Sequence, residues 1–199
     1  MRRHSIVARL GSTDNQKISV KDVTSLITDL PLIEQDGSLL GGLGQFLREL
    51  TKHHVLPTET GIDLLILAAT VTAADTRISR ASEAQDSWTR EIDLYVPVSS
   101  VGVWEGQRPL VERILRFLSG DVWRVYFRER HPAAKTLVPA PPELALAVFD
   151  SVSLFSGGLD SFVGAIDLLA GKRKPLFVSH YWDISTSSQK LCAARIGEV

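Results

Sequence analysis

Apolar residues recur along this chain in two periods, and the switches between them mark out its elements. Residues 6–10, Ile6-Val7-Ala8-Arg9-Leu10, form an apolar run that predicts a first strand, ended by Gly11-Ser12 and a polar turn through Asp14 and Asn15. Residues 17–20 are expected to pair with it as a hairpin. A helix over residues 22–30 would be closed by Pro31, and residues 36–44, with four glycines, would form a loop. Phe46, Leu47 and Leu50 then share one face of a helix over residues 45–53.

The most regular helix of the first half spans residues 60–78. Thr60 and Asp63 stand three apart, as in a capping box, and Leu64, Leu65, Leu67, Ala68, Val71 and Ala74 supply a broad apolar surface. In residues 90–98, Ile92, Leu94, Val96 and Val98 alternate with Glu91, Asp93 and Tyr95, the pattern of a half-buried strand. Pro109 is placed at the first position of another helix, whose stripe is Val111, Ile114, Leu115 and Leu118 and whose stop is Gly120. Trp123, Val125 and Phe127 alternate with Arg124, Tyr126 and Arg128 in the next strand.

Four of the nine prolines fall within residues 131–142, which predicts an extended linker and a domain boundary near residue 140. Beyond it, Val152, Leu154 and Phe155 form a strand. Two glycines follow, and Val163, Ile166, Leu169 and Ala170 recur at helical spacing up to Gly171. Residues 175–180 give a second strand and residues 185–199 a second helix. Strand, helix, strand within so short a span is a βαβ unit, hence a parallel sheet. Ligands of such sheets bind at the carboxyl ends of the strands, where Ser156 and the residues around Ser179 and His180 would lie.

The loop between strand and first helix, Ser156-Gly157-Gly158-Leu159-Asp160-Ser161, has its own chemistry. Adjacent glycines let the backbone turn sharply, and Asp160 or Ser161 is expected to cap the helix. Free N–H groups and a helix N-terminus then aim at one point, which suits a phosphate. It is not a Walker loop, since no Gly-Lys-Ser/Thr follows.

Composition narrows the setting. The 199 residues are 44% hydrophobic and 23% charged, and the net charge of −1 gives no electrostatic reason for nucleic-acid binding. Arg124, Arg128 and Arg130 form a modest basic face open to an acidic partner. Cys192 is the single cysteine, so no internal disulfide or cysteine-cluster zinc site exists in this chain. The basic start lacks the apolar stretch of a secretory signal, and the longest apolar run, residues 64–74, is too short to span a bilayer. A cytoplasmic protein with no membrane contact is expected.

Ser-Gly-Gly-Leu-Asp-Ser, placed after a strand and opening a helix, resembles the Ser-Gly-Gly-x-Asp-Ser motif of the N-type ATP pyrophosphatases, the PP-loop superfamily. The resemblance implies ATP cleavage between the α and β phosphates. Phe155, Ser156, Gly157, Gly158, Leu159, Asp160, Ser161, Ser179 and His180 would line the nucleotide site. The catalytic residues would be Asp160 and Ser161, with Asp160 at a bound Mg²⁺. The fold class implied is α/β. A mixed α/β accessory domain over residues 1–140 would precede the first βαβα part of a parallel-sheet, adenine nucleotide alpha hydrolase-like PP-loop domain over residues 141–199. Two strands are fewer than such a sheet needs, so the chain is expected to be the N-terminal part of a longer protein, with an incomplete active site.

Spacing from Ser156 to Ser179-His180-Tyr181 resembles that of the 7-cyano-7-deazaguanine synthases, the QueC family, although Tyr181-Trp182-Asp183 lacks that family's glycine. The long leading domain, with residues 86–98, is similar to that of the QueC-like proteins of antiviral defence operons, the Qat system among them. A deazapurine carboxylate would then be activated as an acyl-adenylate and attacked by ammonia or by an amine of a partner protein from the same operon. The zinc of that family belongs to a C-terminal segment not present here. The alternative is a non-catalytic nucleotide- or partner-binding subunit of a defence complex.

Overall fold

The computed structural model describes residues 3–33, 43–53, 55–84, 88–138, 149–179 and 186–197. The chain divides into two compact units, Met1–Pro141 and Pro142–Val199. Both are α/β, and the strand pairings among the described strands are parallel.

In the first unit β1 (Arg3–Arg9), β2 (Leu26–Pro31), β3 (Glu91–Val98) and β4 (Val122–Glu129) form one sheet in the order β2-β1-β3-β4. Its helices are α1 (Leu43–Lys52), α2 (Glu59–Arg77), the single-turn α3 (Arg80–Glu83) and α4 (Val101–Ser119), with a 3-10 turn at Pro132–Ala134. Ile6, Ala8 and Leu10 of the first strand, Ile92, Leu94, Val96 and Val98 of the third, and Trp123, Val125 and Phe127 of the fourth meet Ile62, Ile66, Leu67 and Trp104 from α2 and α4 in one core.

The strand order explains the other face. From β2 to β3 and from β3 to β4 the chain moves in one direction across the sheet, and from β1 to β2 it moves in the opposite one. Right-handed crossovers therefore put the β1–β2 connection on the face away from α2 and α4. Two contacts agree: Tyr95 Oη accepts from Lys21 N at 2.8 Å, and the Ser5 and Ser25 hydroxyls lie 2.6 Å apart. That face is covered by irregular chain in place of a helix, and its layer is correspondingly polar.

Several sequence expectations are corrected. No hairpin forms at residues 17–20, because β1 gives one edge to β2 and the other to β3, both in parallel register. Residues 22–30 are not a helix. Asp22 closes a turn by accepting from Thr24 N and Oγ1, and Leu26–Pro31 then extends as an edge strand, where a terminal proline is tolerated. The strand β3 is buried on both faces, not half-buried, since Asp93 and Tyr95 lie beneath the polar layer. Pro109 sits inside α4, which begins at Val101. Trp104 anchors that earlier portion, donating from Nε1 to Asp63 Oδ2 at 2.9 Å. Ile114 and Leu118 of the expected stripe are exposed, whereas Gly120 does end the helix, at φ 75°. The cap of α2 is Thr58, whose hydroxyl accepts from Gly61 N at 3.1 Å, and not Thr60.

Arg124, Arg128 and Arg130 make no free basic face. Arg124 pairs with Glu91 and Asp93, Arg128 with Asp14, and Arg130 with Glu59 and Asp63. Alternation marks which way a side chain points, but it does not reveal a carboxylate that arrives from another element.

The second unit contains β5 (Ser151–Leu154), α5 (Leu159–Ala170), β6 (Pro175–Val178) and α6 (Thr186–Ile196), with β5 and β6 paired in register from Ser151–Pro175 to Leu154–Val178. Phe155 and Phe177 pack with ring centroids 5.7 Å apart, and Ala165 of α5 is fully buried. Val152 and Leu154 project from the other side of the pair and are 69% and 80% exposed, so this small sheet covers one face only.

Candidate functional site

The glycine-bearing loop lies at the carboxyl end of β5, beside the end of β6. Phe155 N donates to Val178 O at 2.8 Å, extending the ladder by one bond, and Ser179 Oγ donates to Phe155 O at 2.7 Å. Ser179 thus fixes the backbone where the loop begins. Phe155 is buried and holds that end of the strand in the core, while Ser156 is exposed.

Gly157 turns the chain at φ 78°, a left-handed conformation that favours glycine. It has a second reason to be glycine. A Cβ placed there would stand 2.8 Å from Gln189 N and 2.9 Å from Gln189 Cα, so the backbone of α6 closes directly against the loop. Cys192, one turn further along α6, lies with Sγ 3.7 Å from Gly157 O. Sequence reasoning missed this packing. Nothing in the pattern of α6 signals it, since Leu191, the apolar neighbour of Cys192, is 63% exposed.

Gly158, not Asp160 or Ser161, is the N-cap of α5, and it makes no side-chain cap. Asp160 and Ser161 fall inside the first turn because the helix starts at Leu159, one residue before Asp160 and two before Ser161. The two loop hydroxyls lie together. Ser161 Oγ donates to Gly158 O at 2.9 Å and lies 3.2 Å from Ser156 Oγ, and Ser156 Oγ accepts from Gly158 N at 3.4 Å. One cluster therefore joins both serines across the loop. The first intrahelical bond of the turn runs from Phe162 N to Gly158 O at 3.0 Å. The N–H groups of Leu159, Asp160 and Ser161 precede it and have no intrahelical acceptor.

Leu159 and Asp160 are exposed, and the Asp160 carboxylate makes no hydrogen bond or ion pair among the described residues. The site is thus open, with hydroxyl and amide donors gathered at a helix N-terminus and one carboxylate beside them. Such an end attracts anions. The basic turn at residues 172–174 is at the opposite, amino end of the strand pair, where Arg173 pairs with Asp150. It does not contribute to the loop. His180, and with it Tyr181, Trp182 and Asp183, lies outside the described residues.

Among the described residues no three His, Cys, Asp or Glu side chains gather as a metal site, and no helix is long and apolar enough to cross a membrane. A magnesium ion brought in on phosphates needs only one or two protein carboxylates, and Asp160 is the carboxylate at this loop that could supply one. Comparison with protein-family models, with curated proteins and with solved structures found no match to this chain.

Proposed function

We propose that the second unit carries the nucleotide loop of an ATP-dependent ligase of the PP-loop kind, related to the QueC-like enzymes. It would act on a 7-deazaguanine carboxylate in a cytoplasmic defence setting. The observation that carries the reading is the Ser156–Ser161 cluster. Two hydroxyls 3.2 Å apart stand over the unfilled N–H groups of α5, at the carboxyl end of a parallel strand pair.

In the proposed reaction a substrate carboxylate oxygen attacks the α phosphorus of ATP. The bond from that phosphorus to the bridging oxygen breaks, and pyrophosphate leaves with the electron pair. A nitrogen nucleophile then attacks the acyl carbon and releases AMP. Ser156 and the first-turn amides serve by donating to the pyrophosphate oxygens as charge gathers on them, joined by Ser161 when its hydroxyl turns from Gly158 O to the ligand, an effect worth about 3–4 kcal/mol per well-placed donor. Asp160 would repel a bare phosphate, so its place is at the Mg²⁺ that neutralises the leaving group. Gly157 gives the loop its left-handed turn and lets the Gln189 backbone close against it.

The test is pyrophosphate release from ATP by the full-length protein, with Mg²⁺ and 7-carboxy-7-deazaguanine, beside Asp160→Ala. Release that needs both the carboxylate and Asp160 supports the adenylating enzyme. ATP binding without release would point to a nucleotide-binding subunit of a defence complex.

A further inference from the structure

Every seventh residue on the outer side of α4 is an apolar side chain left in solvent: Val103 is 55% exposed, Leu110 42% and Phe117 88%. The helix packs its other side on β4 and buries Trp104 there, so these three are not its core stripe. Seven residues make two turns, and the three side chains therefore stand in one line along about 21 Å of helix. Gly102 and Gly106 lie on the same side, and a Cβ at either would meet nothing within 4 Å, which leaves a hollow beside Val103.

The apolar surface continues toward α2. A groove of about 290 Å³ runs between the two helices, walled by Leu64, Ala68 and Val71 of α2 and by Val111 and Ile114 of α4. Residues 64–74 of α2 include no charged side chain, and Arg113 is the charged member of the outer strip of α4. A nucleic acid or a strongly charged peptide would find almost no counter-charge on this face, whereas the centre of a protein interface is poor in charge. Single exposed apolar residues are ordinary, but a continuous face is not. Two helices of 19 residues, each about 28 Å long and about 10 Å across, present roughly 500 Å². A pair of such faces buries about 1,000 Å², which is what a specific interface needs at the least.

The outer strip of α4 reads alike in both directions from Leu110, with an apolar residue seven positions before it and another seven after. Packed antiparallel on a second α4 about a two-fold axis at Leu110, each Phe117 stands opposite Val103 of the other copy, over the hollow left by Gly102 and Gly106. Leu110 meets its own counterpart. Arg113 falls opposite Gln107, whose amide oxygen accepts from it, and not opposite another arginine. Such an isologous contact closes as a dimer.

We propose that two copies of this chain pair through the α2–α4 face, with α4 antiparallel to α4 and the two-fold axis at Leu110. The occupant that suits a nearly charge-free face with its own knob and its own hollow is that same face.

The experiment is light scattering and sedimentation of the full chain over a range of concentrations. The parent should be a dimer with a Kd of about 10 μM or tighter. Phe117→Glu and Leu110→Glu should each weaken association by about tenfold or more. Both side chains are solvent-exposed, so the far-UV spectrum of each variant should match the parent. A cross-link fixes the register: in a Cys192→Ser background, Leu110→Cys should form an interchain disulfide on mild oxidation. Val103→Cys, about 21 Å from its counterpart, should not bridge to itself. A parent that stays monomeric at about 100 μM overturns the proposal and leaves the face to a different protein. A dimer that survives both glutamates, or one in which Leu110→Cys does not cross-link, overturns it as well.

Discussion

Arg130 Nη2 donates to Asp63 Oδ1 at 2.5 Å across 67 residues of sequence, and both side chains are almost wholly buried. The same carboxylate accepts from Ser99 N at 2.9 Å, Ser99 Oγ at 2.7 Å and Trp104 Nε1 at 2.9 Å. One acidic side chain thus ties α2 to the end of β3, the start of α4 and the residue after β4. Removing one partner of a buried pair strands the other charge, at a cost of about 3–5 kcal/mol. Asp63→Ala is expected to lose that much in urea unfolding, followed by tryptophan fluorescence. The double variant Asp63→Leu/Arg130→Met should recover a substantial part of it, because no fully buried charge is left unpaired and Glu59, which also loses Arg130, is partly exposed.

Two other fully buried carboxylates should respond to pH in opposite senses. Burial alone would raise Asp121, but hydrogen bonds from the Arg90 side chain and backbone and from Arg80 overcome it and hold its pKa below the usual value. Its contribution is therefore full above the unfolded pKa of about 4 and is lost as pH falls through the lower folded value. For Asp93, burial wins over the single hydrogen bond from Arg124, and the pKa is raised. Its contribution is full below about pH 4 and is lost as pH rises through the higher folded value. At neutral pH, Asp121→Asn should cost about 3–5 kcal/mol. Asp93→Asn should stay within about 1 kcal/mol of the parent and flatten the curve just above pH 4. Urea midpoints measured between acid and neutral pH check both.

The two loop glycines are not equivalent. Gly157→Ala combines a left-handed φ with a Cβ driven into the Gln189 backbone, so at least about 1–2 kcal/mol and the docking of α6 should be lost. At Gly158 a Cβ would meet Ser156 Oγ at 3.5 Å, an ordinary contact, and φ is −82°. Gly158→Ala should therefore cost only the fraction of a kcal/mol, roughly 0.5, by which alanine is the poorer N-cap. Thermal melts of the two variants give the contrast, and a drop of equal size in both would refute it.

Within the cluster, Ser161→Ala removes both the bond to Gly158 O and the neighbour of Ser156. On the proposed reaction it should lower the rate of pyrophosphate release by about 10²–10³ while the unfolding midpoint moves little. A steady-state assay with ATP and the carboxylate substrate measures it.

Capping offers a check on the helix that carries Asp63. Thr58→Ala should cost about 1 kcal/mol, the usual worth of a threonine cap, and Thr60→Ala on the exposed side of the first turn almost nothing. Chemical denaturation of both variants separates the two assignments.

The elements that sequence made legible are those whose signal is local. Gly120 and Gly171 end helices, the alternation in β4 names its core residues, and the strand–glycine loop–helix around Ser156 is where the chain order put it. What escaped is set by partners far along the chain. Leu26–Pro31 became a strand because β1 had an open edge, which outweighed the helical spacing of residues 22–30. Asp63 read as a cap because Thr60 stood before it, and only the fold brings Arg130 to it. At the candidate site, periodicity located the loop but the expected cap, Asp160 or Ser161, falls two or three residues after the observed one, and the contact of α6 with Gly157 left no trace in composition.

The position of β1 in the middle of its sheet has a consequence during synthesis. At roughly 5–20 residues per second, β3 emerges about 4–18 s after β1. The first strand made must wait for its inner neighbour with β2 alone beside it, one edge unpaired and its apolar side chains uncovered. Folding of this unit is therefore slow by connectivity, and its earliest residues are those most in need of a chaperone's protection.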